Sequence, residues 1–328
     1  MRIPARAFPA VLAAALLLAF TTIPAHADTE RGHFDRTLSV TGAVNLDVQT
    51  GSGEIVVHPG ASGAVQVHAR IYASGWNMSG DVDQRIHQIE SNPPIEQNGN
   101  TIRIGHSDDR DLFRNISISY DVTVPAETSL RAASGSGDER INGINGPADT
   151  TSGSGSLQLT NIRAETHARS GSGDIELQSI RGNAKATTGS GSIHATGIAG
   201  GFTASSGSGD VRLEQTASGD VDVSTGSGSV EVKGADGAVR VQTGSGTISA
   251  QGNPKGDWKL HTGSGDVDVQ FPASAAYELA AHTGSGSIHT EQEMTVQGTI
   301  GPREVRGKVH GGGSLVDLST SSGSINIH

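Results

Sequence analysis

Apolar side chains fall on alternate positions in short runs along most of this chain, and the runs recur. In residues 189–206, Ile193 and Ala195 alternate with polar neighbours and Ile198 follows. Gly200-Gly201 then interrupts, and Phe202, Ala204 and Ser206 alternate again. A period of two is the pattern of a strand with one face buried. The segment therefore predicts two short strands joined by bends. Leu157, Ile175, Val211, Val230, Ile248, Val267 and Ile288 occupy the position of Ile193 in the neighbouring segments. Leu159, Leu177, Leu213, Val232 and Val269 occupy that of Ala195. On the second strand, Val221, Val239 and Trp258 align with Phe202, and Val223, Val241 and Leu260 with Ala204.

A block of the form T-G-S-G-[SD]-[IVL] precedes each first strand. Its first glycines are Gly135, Gly153, Gly171, Gly189, Gly207, Gly226, Gly244, Gly263 and Gly284, at steps of 18, 18, 18, 18, 19, 18, 19 and 21 residues. An isolated copy lies at Gly51 and a degenerate one at residues 321–325. A fixed period of this size predicts an all-β, single-chain parallel β-solenoid, β-helix-like, with coils of about 18 residues stacked some 4.8 Å apart. Roughly a dozen coils are expected. The corner calls for glycine through positive φ or close backbone approach. The Ser or Thr before the first glycine is expected to hydrogen-bond up and down the corner. Opposite charges share outward columns at Arg212 and Glu231, Glu214 and Lys233, and Asp222 and Arg240.

The first third is less regular. Val44, Leu46, Val48, Ile55, Val65 and Val67 alternate and predict early coils or a cap. Residues 70–115 depart from the pattern. An amphipathic helix is expected at 79–89 with Val82, Ile86 and Ile89 on one face, ended by Pro93-Pro94. A hairpin is expected at 95–104 around Asn98-Gly99-Asn100, and a strand at 116–124. Such an insertion is either a binding face or a cap over an open sheet edge. Glu139 stands in the column of Leu157 and Ile175, which suggests a coil that is irregular or partly open there.

The N-terminus reads as a signal peptide, residues 1–27. Arg2 and Arg6 precede an apolar run at 11–20, and Ala25-His26-Ala27 forms a cleavage site. The expected organisation is 1–27 leader, 28–129 N-terminal coils and cap, and 130–328 regular repeats. The mature chain would be exported and not membrane-spanning, in the periplasm or at the cell surface. A net charge of -11 disfavours nucleic acid as a partner. The chain has no Cys, and aromatics are only 3% of it, which suits a thin aliphatic core.

At this point the residues carry a resemblance. Ile118-Ser119-Tyr120-Asp121-Val122-Thr123-Val124-Pro125, Leu130 and the tandem [ST]-G-S-G-[DS]-[IV] blocks resemble a bacterial family of β-strand-repeat proteins of unknown function that are described as adhesins. The closing stretch at 321–327 is similar. The resemblance spans about 40–328. It implies a solenoid-like fold and an envelope-associated protein, and it carries over no catalytic or ligand residues.

Candidate chemistry is sparse. Asp138, Asp174, Asp210 and Asp266 follow the second corner glycine and raise the question of Ca²⁺. Along the first coils they alternate with serines, which spaces the carboxylates two coils apart, too far for one ion. The blocks are not phosphate loops, because a strand and not a helix follows each. A carbohydrate-active β-helix enzyme would need paired carboxylates in a groove, and none cluster. Trp76, Trp258, Tyr72, Tyr120 and Tyr277 are the only Trp and Tyr, with Trp258 in an inward column. His261 and His282 share an outward column and are expected on adjacent coils, without a third ligand for a metal. A flat threonine array for ice and a C-terminal membrane barrel both lack their patterns. No catalytic, cofactor or metal residue is assigned. The expected function is a non-enzymatic, adhesin-like module presenting a rigid β surface to a protein or glycan of the envelope or exterior. The alternatives are a periplasmic envelope-stress or signalling accessory and a carbohydrate-active enzyme.

Overall fold

The computed structural model describes residues 30–73, 80–107, 109, 111–296 and 301–328. Residues 1–27, where a leader is expected, and Trp76 and Ser79 lie outside that set. The described chain is all-β with one helix, in two long, mostly parallel sheets of 14 and 15 strands. Each repeat contributes one strand to each sheet. Ile193–Ile198, for example, lies between Ile175–Gln178 and Val211–Gln215 in one sheet. Phe202–Ser206 lies between Ala184–Thr188 and Val221–Thr225 in the other. The two sheets share twelve such coils in a solenoid-like stack.

Alternation fixes what lies between the sheets. Ile193, Ala195, Ile198, Phe202 and Ala204 are all at most 2% exposed, and their polar neighbours face out. The core is a thin slab of aliphatic columns. Aromatic rings cluster near one end, with Trp258 and Phe271 centroids 5.1 Å apart and Phe271 and Tyr277 4.7 Å apart. Trp258 is fully buried as expected, and its Nε1–H donates to the Gly237 carbonyl at 3.1 Å.

The stack does not follow chain order at its ends. Val44–Thr50 and Ile55–Pro59 form a coil that sits beneath Thr128–Ser134 and Glu139–Asn142. On its other side lie Thr101–Ile104 and Ile116–Val124. The hairpin strand expected in the 70–115 excursion is thus itself a rung of the stack. The far end repeats the arrangement. Trp258–Ser264 and Val267–Gln270 pair with Ser314–Ser322 and Ile325–Ile327, and not with the next repeat. Tyr277–Ser285 and Ile288–Thr290 then stack outside those. Each end therefore has a rung inserted from elsewhere in the chain.

Antiparallel strands finish the stack. Ala64–Ala73 runs antiparallel to Ile116–Val124, and Glu30–Ser39 antiparallel to that. Ile95–Asn98 closes the other sheet at the same end, and Glu304–Val309 with Thr295–Val296 closes it at the opposite end. The purely parallel reading is corrected at these edges. The remaining edge, Ile288–Thr290, is parallel and only three residues long, and such short edge strands limit end-to-end association.

The helix spans Gly80–Ser91. Asp81 and Asp83 lie in its first turn, where they oppose the positive end of the helix dipole. Val82, Ile86 and Ile89 are buried as their spacing predicts. The helix is tied to the edge strand by Arg31 Nη2 to Asp83 Oδ1 at 3.1 Å and by the His33 amide to Glu90 Oε1 at 3.1 Å.

Candidate functional site

The repeated corner is explained by packing. A Cβ on Gly155 would lie 2.0 Å from the Gly137 carbonyl oxygen, and one on Gly153 would lie 2.3 Å from that of Gly135. Close approach of stacked backbones, and not positive φ, excludes a side chain at both positions. The hydroxyl before each pair is buried and bridges two coils. Ser152 Oγ donates to the Gly137 carbonyl at 3.1 Å and accepts the Gly155 N–H at 2.8 Å. Thr188 does the same with Gly173 and Gly191, and Thr225 with Gly209 and Gly228. The hydroxyls thus bond to backbone, not to one another. The middle serines, Ser136, Ser154, Ser172, Ser190 and their equivalents, are exposed. Nothing in the structure explains why they recur.

The four candidate calcium aspartates hold the stack together. Asp138 Oδ1 accepts the Ser156 amide at 2.9 Å, and Asp174 that of Ser192 at 2.7 Å. Asp210 accepts Ser229 at 2.9 Å, and Asp266 accepts Ser324 at 2.7 Å. Each carboxylate therefore caps the amide of the next coil, which gives the Asp–Ser alternation a structural reason. Asp220 and Asp257 repeat the device at the second bend. Among the described residues, no three His, Asp or Glu side chains converge as metal ligands.

Other sequence-marked residues fall differently from expectation. His261 and His282 are not on adjacent coils, because Ser319 stands between them in register. His261 Nδ1 instead lies 2.9 Å from Ser319 Oγ. Arg212 and Glu231 pair at 3.3 Å, but Lys233 turns to Glu231 and leaves Glu214. The Lys233 hydrogen bond, helped by the Arg212 charge, holds the Glu231 carboxyl below the usual glutamate range. Tyr120 and Tyr277 are buried.

Glu139 also departs from expectation. Its coil is regular, with Glu139 between Ile55 and Leu157 in register, and the side chain is 0% exposed. Neither carboxyl oxygen has a hydrogen-bond partner. Burial raises its pKa to about 8, with a smaller push from the Asp149 charge and a partial offset from the Ser134 backbone.

A concavity lies at the second bend. Through four coils this bend holds a left-handed residue and then a buried isoleucine. The pairs are Gly143 (φ 70°) with Ile144, Asn161 (58°) with Ile162, Ser179 (58°) with Ile180 and Gly197 (70°) with Ile198. The following coils carry Gln215, Ala235 and Gly252 instead, with Ile198 opposite Gln215 and Ala235 opposite Gly252. Over these smaller or polar occupants the surface sinks into a trench of about 650 Å³. Its wall is one outward column on four successive strands, Glu214, Lys233, Gln251 and Gln270. Asn253 and Asp236 also line it, as do Phe271 and Pro272 beyond Gln270. Asp236 takes hydrogen bonds from Lys255 Nζ at 2.8 Å and Ser218 Oγ at 2.6 Å, which hold its carboxyl below the usual aspartate range. Gln215 is 4% exposed, and its Nε2 donates to the Gly200 and Gly219 carbonyls at 2.8 and 3.1 Å. Sequence reasoning missed the trench. The one available signal was the end of the isoleucine series at Ile198.

Residues 167–328 match the family model Toastrack DUF4097. The Toastrack match covers the regular coils from residue 167 onwards, the trench and the inserted last rung. Three solved structures are similar to the chain. A provisionally named cell adhesion protein from Clostridium sporogenes ATCC 15579 shares 11% identity, over 90% of this chain and 99% of its own, with TM-score 0.24. A provisionally named adhesin from Bacteroides fragilis NCTC 9343 shares 15%, over 90% and 97%, with TM-score 0.33. A provisionally named lipid binding protein from Parabacteroides distasonis ATCC 8503 shares 14%, over 90% and 96%, with TM-score 0.45. No curated protein matches the chain.

Proposed function

We propose that this chain is an exported, non-catalytic binding module that presents a rigid, polar β surface to a partner at the cell envelope or outside it. The carrying observation is the polarity of that surface. Among the described residues, Leu315, at 37%, is the only large apolar side chain that is exposed. A lipid surface or an apolar protein anchor would need a contiguous apolar patch. A stack built on paired strands offers instead fixed columns of polar heads at rung spacing. The leader-like residues 1–27 support export, and no helix among the described residues is long and apolar enough to cross a membrane. A non-enzymatic role is favoured by the candidate carboxylates, which are spent on neighbouring amides.

Cell fractionation with protease treatment of intact cells tests the reading. Digestion on intact cells, or recovery from the medium, is the expected result. Protection that is lost only when the outer envelope is opened would overturn surface adhesion and favour a periplasmic accessory role.

A further inference from the structure

We propose that the trench at the second bend binds a neutral, hydroxyl-rich oligosaccharide laid across the strands, an inference that rests on the binding-module reading. Three observations select this ligand chemistry. The Gln251, Asn253 and Gln270 side chains line the trench and make no hydrogen bond or ion pair within the described protein. A carboxamide offers both donors and acceptors, as a sugar hydroxyl does, so each matches hydroxyls without a net charge. The charges along the wall are largely neutralised in place, Lys233 by Glu231 and Asp236 by Lys255. An anionic ligand would find no free cation there, and Glu214 remains to accept hydroxyl donors.

Shape gives the same answer. Four wall positions at strand spacing span about 14 Å, a length for a few sugar rings. The exposed Pro272 supplies a small apolar ledge for a ring face. An extended peptide binds by adding to a free sheet edge, with pockets for its side chains. The strands under the trench are interior, with both neighbours already paired. The buried Trp258, Tyr120 and Tyr277 cannot stack on a ligand, so recognition is by hydrogen bonds and its affinity is modest.

The test is calorimetric titration of the full chain with neutral tri- and hexasaccharides of the cello, chito, malto and mannan series, with heparin as the anionic comparator. Sedimentation with isolated envelope material is measured in parallel. At least one neutral series is expected to bind. The double variant Gln251→Ala, Gln270→Ala should weaken it at least tenfold with unchanged Tm. Gln178→Ala, the same outward column in a coil with an isoleucine bend, should leave it unchanged. Binding of heparin alone, or of no saccharide, overturns the proposal. So does saccharide binding that ignores the double substitution. If envelope binding persists in those cases, the binding-module reading stands and only the trench assignment falls; if it is absent as well, both fall.

Discussion

Glu139 puts a carboxyl where every neighbouring coil has an aliphatic side chain. The inward residues that face it are Ile55 and Val57, Leu157 and Leu159, and, across the slab, Leu130, Ala132, Ser134, Ala148, Thr150 and Ser152. None of these carries a charge. Its native pKa of about 8 lies above that of an unfolded glutamate, so the native state holds a proton that the unfolded chain releases. The stability linked to this group is thus greatest below the unfolded value and declines as pH rises towards 8, by about 1.4 kcal/mol per unit at most. Thermal unfolding followed by circular dichroism should show that decline. Glu139→Leu should flatten this part of the profile and raise Tm at pH 8. An unchanged pH profile in the variant would show that Glu139 is not the titrating group. The corner separates two neighbours as sharply. Gly155→Ala forces a Cβ against the Gly137 carbonyl and should cost about 2 kcal/mol or more, whereas the exposed Ser154→Ala should stay within about 0.5 kcal/mol. Denaturant titration of both variants decides this. The inward identity of Trp258 was legible from alternation alone. The burial of Glu139 was not, because a glutamate in an aliphatic column reads equally as a break in the coil.

Within a single coil, backbone stacking and side-chain bridges act together. Thr188 joins the Gly173 carbonyl to the Gly191 amide, and Asp174 caps the Ser192 amide one position further on. Thr188→Val keeps the shape and removes both bonds in a buried setting, where an unmade hydrogen bond costs about 1–3 kcal/mol. Asp174→Ala leaves an exposed amide that water can reach, so its cost should be about 1 kcal/mol or less. Native-state hydrogen exchange should show Gly191 losing protection in the first variant and Ser192 in the second. If the two variants were equally costly, burial would not be what separates them. Elements with local signals were legible in the sequence. The helix at Gly80–Ser91 and the antiparallel pair Ile95–Asn98 and Thr101–Ile104 carry their own periodicity and turn residues. The trench was not, since it arises where three coils lack a side chain that four others have.

At the scale of the whole molecule, sequence spacing gave the number of coils, and their order had to come from the fold. The charge ladder at one end shows why. Glu96, Arg103, Asp47, Arg131 and Asp149 alternate in sign across five adjacent strands, though their order in the chain is different. Arg103 meets Glu96 at 3.2 Å, and Arg131 meets Asp149 at 3.7 Å. These pairs are exposed and each adds about 0–1 kcal/mol. Their contribution is to register, because a shifted rung would set like charges side by side. The inserted rung at the other end makes a further prediction. Deleting residues 314–328 should strip protection from Tyr277–Ser285 as well as from the missing strands, since that strand reaches the stack only through Ser314–Ser322. Hydrogen exchange resolved by mass spectrometry would detect it. Protection of 277–285 that survived the deletion would mean that this strand can dock directly on Trp258–Ser264.

The inserted rungs also set a timetable for folding. A simple solenoid can zip up one coil at a time as the chain is made, each new rung docking on the last. Here the coil at 44–59 is sandwiched between two coils made after it, and the strand at 277–285 must wait for a partner some thirty residues downstream. Both ends must hold a gap open while the intervening chain arrives. The middle of the stack should therefore form first and fast, and the slow steps should belong to the two ends.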